Sequence, residues 1–514
     1  MHELKEQCQV VHYVPVTVVW FKRDLRISDH PALDSAIKSD LPVICLFNLE
    51  PERIQRDDVD SIHIEWELDC LRKLQRSLES IGGKLLFHYG RAVDRLEQLH
   101  TDYHIDHLYS SEETGLQWSW DRDKDVAKWS KSSGVEFTEF PTNGVIRGLK
   151  SRDHWKALRD HRVDAPLVNT PVQMKAPDGL QSDTVPLLSE LGIPSRSLTD
   201  RPEPGEKAAL AVLFSFLDGR GRTYRKSMSS PLLGKEACSR LSPYIAVGCI
   251  SIRQILHHTR RKLAKVKKHP RSADNRGWTT SLSSFQSRLA WHCHFIQRLE
   301  HEATMDSIAL NPELDEQLER IFDQEKFDAW AYGFTGWPFF DACMRSLIAT
   351  GWINFRMRAM LQSVASYTLW LPWRETGMHM ARMFLDYEPG IHWSQIHMQS
   401  GVTGINSIRA YSVEKQAMDH DPTGEFIRTW VKELRDVPEQ YIHHPWRMTE
   451  EQQKTFSCRI GKDYPAPIVD EKESRKEGIS AAYGAKGHPA AKTRATQVYL
   501  IHGSRKRQQS ARRS

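Results

Sequence analysis

The chain has 514 residues, of which 39% are hydrophobic and 27% are charged, a composition typical of a globular protein. One hydrophobic core stops growing near about 250–300 residues, so this length predicts at least two domains. A formal net charge of +5 is too small to indicate nucleic-acid binding by itself, and no apolar run reaches the roughly 18–20 residues that a membrane span needs.

The N-terminus and the cysteines bear on the cellular compartment. Residues 1–15 contain no basic segment followed by an apolar stretch, so we predict no secretory signal and a cytoplasmic protein. The eight cysteines are scattered and include no C-x-x-C pair, which argues against a zinc ribbon, a redox motif and a disulfide framework.

Residues 16–139 alternate apolar strands with helical segments. The apolar runs predict strands at VTVVWF (16–21), LPVICLFN (41–48), KLLFHYG (84–90) and HIDHLYS (104–110). The helical segments between them favour a parallel, doubly wound sheet. No G-x-G-x-x-G follows the first strand, so the usual dinucleotide fingerprint is absent.

The rest of the chain divides into three parts. Prolines, serines and polar turns predict a linker over residues 141–205, and a helical pattern occupies residues 206–447. Residues 448–514 are polar and basic, and we predict a partly disordered tail there. This tail and a second basic run at residues 257–271 are either solvated surface or contacts for phosphates, and composition leaves both open.

Four sequence blocks occur in order between residues 14 and 447. They are WFKRDLRISDHPAL (20–33), CSRLSPYIAVGCIS (238–251), FTGWPFFDACMRSLIATGWINFRMR (334–358) and DPTGEFIRTWVKEL (421–434). These blocks resemble the signature segments of the photolyase/cryptochrome family. The resemblance implies an α/β antenna domain with a doubly wound parallel sheet at residues 14–140, an all-α C-terminal domain at residues 206–447, and FAD as the cofactor.

The second block is expected to hold part of the FAD. Ser239 and Ser242 stand where a helix would begin, and free N–H groups there bind anions, although N-capping alone also explains such serines. The resemblance implies that they hold the pyrophosphate with Tyr224, and that Arg358 and Asp386 pair beside the isoalloxazine ring; as bare residues the last two could equally form a structural salt bridge. The predicted FAD contacts are Tyr224, Cys238, Ser239, Arg240, Leu241, Ser242, Phe285, Arg358, Asp386, Glu388 and His392.

The lesion-binding positions depart from the family's pattern. Trp291 matches the tryptophan that touches the dimer in cyclobutane-type photolyases, but Arg288 stands where those enzymes have a glutamate. Phe355 replaces a lesion-contacting asparagine, and Asn354 stands at the position of the catalytic histidine of (6-4) photolyases. Neither lesion chemistry therefore carries over directly. The predicted lesion and DNA contacts are Arg288, Trp291, Phe355, Arg356 and Met398.

The segment that the resemblance places beside the flavin, residues 386–406, also departs from the pattern. Glu388 replaces the second aspartate of the family's D-x-D, and His392 is expected to face flavin N5. His292 and His294 are candidates for acid–base groups, while histidines on a helix near the core are more often only hydrogen-bonded.

Tryptophans carry electrons to the flavin in this family, and the chain keeps only part of that route. Ile396 replaces the innermost tryptophan, and Trp373 keeps the middle position. Trp393, Trp370 or Trp352 could supply a rerouted path, and core packing explains each of them equally well.

Two patterns, WHCHF (291–295) and MQSGVTGIN (398–406), are most similar to a divergent prokaryotic branch that includes the iron–sulfur bacterial photolyases. That branch needs four cysteines in its helical domain. After Cys249 only Cys293, Cys343 and Cys458 remain, so we predict no cluster and no metal.

The resemblance implies three functions that differ in their use of light. The first is light-driven repair of pyrimidine lesions, in which reduced FAD donates an electron to a flipped lesion in single- or double-stranded DNA. The second is a cryptochrome-like blue-light receptor without repair activity. The third is a nucleic-acid-binding flavoprotein that is indifferent to light. We expect a monomer that binds damaged DNA and no membrane.

An antenna chromophore of the folate, deazaflavin or lumazine type is also expected in the α/β domain. SSEETG (110–115) follows a predicted strand, where doubly wound sheets bind ligands. Its acidic residues could instead belong to an ordinary helix N-terminus.

Overall fold

A parallel sheet forms the N-terminal part of the protein, which we describe from a computed structural model covering residues 14–269 and 272–503. The five strands lie in the order β3-β2-β1-β4-β5, and every neighbouring pair is parallel. The strands are β1 (Val16–Phe21), β2 (Val43–Leu49), β3 (Leu85–Tyr89), β4 (Ile105–Ser111) and β5 (Glu136–Phe140). The predicted doubly wound α/β domain is confirmed.

The central strands β1 and β2 are buried at every residue, which explains their unbroken apolar sequences. Helices cover both faces of the sheet and connect its strands. They are α1 (Pro31–Lys38), α2 (Pro51–Ile54), α3 (Ser61–Glu79), α4 (Ala92–Tyr103) and α5 (Gln117–Ser133). The strand order reverses beside β1, so the carboxyl ends of β1 and β4 flank the crevice where such sheets bind ligands.

The C-terminal part is helical, as predicted. One helix, α6 (Trp155–Asp164), lies in the segment that connects it to the sheet. The helices that follow are α7 (Glu206–Asp218), α8 (Tyr224–Ser227), α9 (Pro231–Ala237), α10 (Ser242–Ala246), α11 (Ile252–Lys268), α12 (Trp278–His301), α13 (Pro312–Leu318), α14 (Gln324–Tyr332), α15 (Pro338–Thr350), α16 (Phe355–Ser363), α17 (Trp373–Met383), α18 (Pro389–Ser400), α19 (Val413–His420), α20 (Glu425–Trp430) and α21 (Glu439–Ile442). The predicted domain boundaries at residues 140, 205 and 447 stay predictions.

Helix α18 lies at the centre of the helical part and packs on α12, α16 and α17. Its approach to α12 is close, because a Cβ at Gly390 would lie 2.7 Å from the Cα of Ile296. A glycine there lets the two backbones meet without a clash. Helices α12, α16 and α18 each carry three of the predicted site residues, so this packing brings those residues together.

The tail that we predicted to be partly disordered contains three helices within residues 448–503. This segment forms α22 (Glu450–Thr455), α23 (Glu471–Gly487) and α24 (Pro489–His502). Helix α23 packs on a π-helical turn, Val364–Thr368, through a stripe of small residues that includes Gly478 and Ala482. Small residues bury little apolar surface, so the sequence looks polar although the helix is docked. Residues 504–514 lie outside the described residues.

The described helices were also compared with the length and hydropathy of a membrane span. Within residues 14–269 and 272–503, no helix is long and apolar enough to cross a membrane.

Candidate functional site

A buried ion pair lies at the centre of the predicted FAD site. The Arg358 guanidinium, from α16, donates two hydrogen bonds of 2.9 Å to the Asp386 carboxylate, which follows α17. Burial acts to raise the pKa of Asp386, but the adjacent Arg358 outweighs burial and holds that pKa below its usual value. Asp386 is therefore ionised, and the bidentate geometry fixes the direction of both side chains.

The loop before α10 approaches this ion pair. Leu241 holds the N-cap position of α10, and Ser242, the first residue of this helix, lies near the Asp386 carboxylate and helps to lower its pKa. Arg240 has a positive φ of 61° and its guanidinium lies 4.0 Å from the ring centroid of Trp352. The loop therefore turns sharply and presents a hydroxyl and a guanidinium beside Asp386.

Arg220 fixes this loop and was missed by the sequence reasoning. Its guanidinium donates to the carbonyl oxygens of Cys238 at 2.7 Å and Ser239 at 3.3 Å. The GRGRTYR segment that carries Tyr224 also carries Arg220, and that proximity was the available signal. Burial raises the pKa of the Cys238 thiol to about 11, so Cys238 contributes a neutral, packed side chain.

An aromatic cluster surrounds Tyr224, another predicted FAD contact. The rings of Tyr224 and Phe285 have centroids 6.0 Å apart, and Phe216 lies 4.8 Å from Phe285. Burial raises the pKa of Tyr224 to about 12, although the nearby Arg288 of α12 opposes the rise. Tyr224 therefore lies near both the predicted FAD site and a predicted DNA contact.

Glu388 and His392 are both held by other parts of the protein. Glu388 pairs with Arg23, which follows β1, at 2.7 Å, and Arg23 also donates to the Ala246 carbonyl at 2.8 Å. His392 lies 2.9 Å from the Gly377 carbonyl oxygen through Nε2. Burial lowers the pKa of His392 to about 4, so the ring is neutral near pH 7.

These residues fit an FAD molecule. The cleft combines hydroxyl and guanidinium donors for phosphates, a carboxylate acceptor, and flat aromatic walls, which are the groups that a dinucleotide with a flavin ring requires. We call this set the flavin cleft; it comprises Tyr224, residues 238–242, Phe285, Arg358 and Asp386.

The predicted lesion contacts lie on α18 and on two helices that pack against it, α12 and α16. Trp291 of α12 keeps 38% of its surface exposed, and the Arg288 guanidinium lies 4.2 Å from the Trp291 ring centroid. Phe355, at the start of α16, and Arg356 beside it are also exposed, and Met398 of α18 is half-buried. An exposed tryptophan topped by a cation offers a stacking surface for a base.

The two candidate acid–base histidines take different positions. His292 lines a small cavity with Arg23 and Glu388, and burial lowers its pKa to about 4. The His294 ring packs edge-on against Trp155 at 5.7 Å. Their roles in chemistry stay predictions.

Two of the candidate electron carriers are brought together. Trp393 is fully buried on α18, 5.0 Å from the His392 ring and 6.0 Å from the Trp373 ring. Trp352 lies instead under Arg240, and the ring centroid of Trp370 lies 4.9 Å from the Arg320 guanidinium.

The carboxyl edge of the sheet, where an antenna was expected, is filled by ion pairs. The Lys22 ammonium lies 3.1 Å from both Asp123 and Glu139, with only 2% of its side chain exposed. The sheet-edge network has three cations and four carboxylates: Lys22, Arg122, Arg147, Glu50, Glu113, Asp123 and Glu139.

The SSEETG side chains belong to this packed edge rather than to an open pocket. Glu113 pairs with Arg122 at 2.7 Å, and Glu112 pairs with Arg162 at 3.0 Å. The cavity at this edge measures about 60 Å³, whereas ligand pockets measure about 300–1,000 Å³. The antenna chromophore expected in this domain stays a prediction, and the residues of SSEETG are engaged in ion pairs.

Within residues 14–269 and 272–503, no group of three or more His, Cys, Asp and Glu side chains could hold a metal ion.

Comparison with known protein families gives two matches. A model described as the FAD binding domain of DNA photolyase matches residues 285–483, and a model described as DNA photolyase matches residues 17–176. Together they cover more than half of the chain.

Individual relatives carry both photolyase and cryptochrome names. The chain is 28% identical to the deoxyribodipyrimidine photo-lyase of Alkalihalophilus pseudofirmus, over 90% of this chain and 96% of that protein. It is 27% identical to cryptochrome DASH of Natronomonas pharaonis, over 88% of this chain and 98% of that protein. The solved structure of a bacterial class III photolyase from Agrobacterium tumefaciens has the same fold, with a TM-score of 0.80, 24% identity and coverage of 94% and 100%.

Proposed function

The chain belongs to the photolyase/cryptochrome family, and on this premise we propose that it repairs UV-induced pyrimidine lesions in DNA by blue-light-driven electron transfer from reduced FAD. The observation that carries repair, rather than flavin binding alone, is the exposed Trp291 with Arg288 stacked on it. A purely structural tryptophan would be expected to bury its ring.

The flavin cleft would bind FAD through groups of opposite charge. Ser239, Ser242 and Arg240 would hold the pyrophosphate, and Arg358 would stabilise negative charge on the reduced ring. FAD supplies the light-excited electron donor. The protein's own residues orient it, exclude water, and keep Arg358 in place through Asp386.

The lesion would leave the duplex and stack on Trp291. Extruding a damaged pair costs less than extruding an intact one, which gives part of the selectivity. Stacking on an aromatic ring contributes about 1–3 kcal/mol per base. Arg288, Arg356 and the basic run at residues 257–271 would contact phosphates or base carbonyls. We propose that a monomer acts on single- or double-stranded DNA, with FAD as its light-absorbing cofactor.

Lesion loss under blue light tests this function. The FAD-loaded protein is chemically reduced, mixed with DNA carrying a cyclobutane dimer or a (6-4) photoproduct, illuminated, and followed by chromatography against a dark sample. We expect light-dependent loss of one lesion. Retention of both lesions by protein with bound, reduced FAD would rule out repair.

A blue-light receptor is the second candidate, and one set of contacts favours it. Helix α13 packs on both tail helices α23 and α24 and also hydrogen-bonds the candidate electron carrier Trp373. A charge change at Trp373 could therefore reach the tail. Light-dependent change in the protease sensitivity of residues 471–502, without lesion loss, would favour this function over repair.

A further inference from the structure

The two neighbouring tryptophans Trp393 and Trp373 differ in their hydrogen-bond partners. The Trp393 indole N–H donates to the Tyr387 hydroxyl at 3.0 Å, and that hydroxyl donates to Asp58 at 2.5 Å. The Trp373 indole N–H donates directly to the Asp315 carboxylate at 2.8 Å. Only the second partner is a base that can take a proton from the indole in one step.

Asp315 is placed to hold a proton. It lies on α13 and is partly buried, and burial raises its pKa above the usual value; the Trp373 hydrogen bond and Arg320 oppose the rise, and Glu375 adds to it. Among the described residues, Asp315 forms no ion pair. A carboxylate without a paired cation loses little electrostatic stabilisation when it is protonated.

The contrast with Trp393 is also electrostatic. Burial and the adjacent Asp58 raise the pKa of Tyr387 well above its ordinary value, so its hydroxyl stays protonated. Among the described residues, an oxidised Trp393 therefore has no carboxylate hydrogen-bonded to its indole N–H. An oxidised Trp373, whose ring centroid is 6.0 Å away, has a carboxylate at hydrogen-bond distance.

We propose that Asp315 accepts the indole proton of Trp373 when Trp373 is oxidised. This proposal rests on the proposed function, because the oxidant would be light-excited, oxidised FAD, which would take the electron from Trp373 by way of Trp393. One electron leaves Trp373 for Trp393, which has already given one electron to the flavin. The Nε1–H bond of Trp373 then breaks, the proton passes to Oδ2 of Asp315, and a neutral indolyl radical and a carboxylic acid remain.

Proton transfer to Asp315 slows the return of the electron from the reduced flavin to Trp373. Returning the electron to a neutral radical requires that the proton return as well, so the reverse reaction slows. The reduced flavin that repair needs then accumulates. Asp315 acts on the electron carrier and not on the flavin, so it is a positioning residue for FAD reduction.

Flash absorption spectroscopy of the FAD-loaded, oxidised protein tests the proposal. In the wild-type protein we expect a tryptophan radical cation that converts to the neutral radical, more slowly in D₂O than in H₂O. In Asp315→Asn the hydrogen bond can remain but the proton acceptor is lost. We expect the neutral-radical band to disappear and the cation to persist until the electron returns.

Glu316→Gln is the matched control, since Glu316 is an exposed carboxylate on the same helix. It should behave as the wild-type protein. A neutral radical of wild-type yield in Asp315→Asn, or conversion without an isotope effect in the wild-type protein, would overturn the proposal. The second measurement needs no variant and so stands even if Asp315→Asn fails to fold.

Trp373→Phe distinguishes proton acceptance by Asp315 from the electron transfer through Trp373 on which it depends. Loss of the radical in Trp373→Phe together with an unconverted cation in the wild-type protein would refute the role of Asp315 and leave the route through Trp373 standing. Flavin reduction without any Trp373 radical would refute the route and the role of Asp315 together. Lesion repair by chemically reduced protein is a separate readout that neither result changes.

Discussion

The sheet edge and the flavin cleft are both places where a ligand was expected, and their charged residues are arranged differently. At the sheet edge, Lys22, Arg122 and Arg147 are all paired with carboxylates of the same network. In the flavin cleft, one ion pair between Arg358 and Asp386 is flanked by hydroxyls, a second guanidinium and aromatic rings. A network whose cations are all paired with its own carboxylates fills its space, whereas an incompletely paired cleft leaves groups for a cofactor.

The comparison teaches that position in the fold does not by itself make a binding site. The crevice beside β1 is where doubly wound sheets bind ligands, yet its cations are already engaged in ion pairs. The predictions below test whether the sheet edge is structural and the flavin cleft is functional.

Removing Lys22 should have the largest effect, and it should be on stability. Lys22→Met removes the buried cation shared by Asp123 and Glu139 and leaves them only their arginine partners; breaking a buried pair costs about 3–5 kcal/mol. Denaturant unfolding should show that loss, while the folded fraction keeps its ratio of FAD to protein. Lys124→Met, at an exposed ion pair with Asp121, should cost less than about 1 kcal/mol. Loss of FAD from folded Lys22→Met would give the sheet edge a role in the flavin site.

Removing Asp386 should act on FAD. Asp386→Asn leaves Arg358 without its carboxylate, and because Arg358 is partly exposed the cost should be about 2–4 kcal/mol, or roughly a hundredfold in FAD affinity. Titration of the apoprotein with FAD, followed by flavin fluorescence, measures this change. Asp121→Asn, on the surface of α5, is the control. An unchanged FAD affinity in Asp386→Asn would show that the Arg358–Asp386 ion pair does not contribute to FAD binding.

Acidification should loosen the contact between the two parts of the protein. His63 of α3 lies 2.8 Å from the Phe384 carbonyl oxygen, and burial lowers its pKa from 6.5 to about 4. Because the unfolded chain takes up this proton first, stability is complete above pH 6.5 and falls as the pH drops towards 4, by about 3 kcal/mol for this group.

The free energy of unfolding, measured across this pH range, checks the role of His63. His63→Gln keeps a donor towards Phe384 but cannot titrate, so the pH dependence should become shallower by up to one proton. His257→Gln changes an exposed histidine on α11 and should leave the slope as in the wild-type protein. If the free energy of unfolding of His63→Gln depends on pH as steeply as in the wild-type protein, His63 is not responsible for the acid sensitivity.

The smallest effect is expected at Trp291. Trp291→Ala should weaken binding to lesion-containing DNA by about 1–3 kcal/mol through lost stacking, with FAD content unchanged. A gel-shift titration with damaged and undamaged duplexes measures the difference. Tyr483→Ala removes an exposed aromatic ring from α23 and should leave binding unchanged. Equal losses for damaged and undamaged DNA in Trp291→Ala would make Trp291 a general contact.

The sequence predicted the sheet, the helical part and the residues of the central ion pair because each depends on local patterns. Arg358 and Asp386 each lie in a segment that resembles the family, and the pair needs only those two residues. The contact between Trp393 and Trp373 depends on how α17 crosses α18, which no local pattern encodes.

The sequence failed where burial is achieved by unusual residues. The docked helix α23 buries glycine and alanine rather than large apolar side chains, so its segment resembled a disordered tail. The acidic SSEETG segment resembled a ligand site because the sequence does not reveal that Arg122 and Arg162 fold back onto it.

An action spectrum of lesion repair tests the central claim most directly. The rate of lesion loss, measured with chemically reduced protein at each wavelength and corrected for photon flux, is compared with the absorption spectrum of the same sample. The account predicts that the two curves superimpose on the absorption of reduced FAD. An additional band from a second pigment would contradict the filled sheet edge, and the absence of light-dependent lesion loss at every wavelength would contradict repair itself.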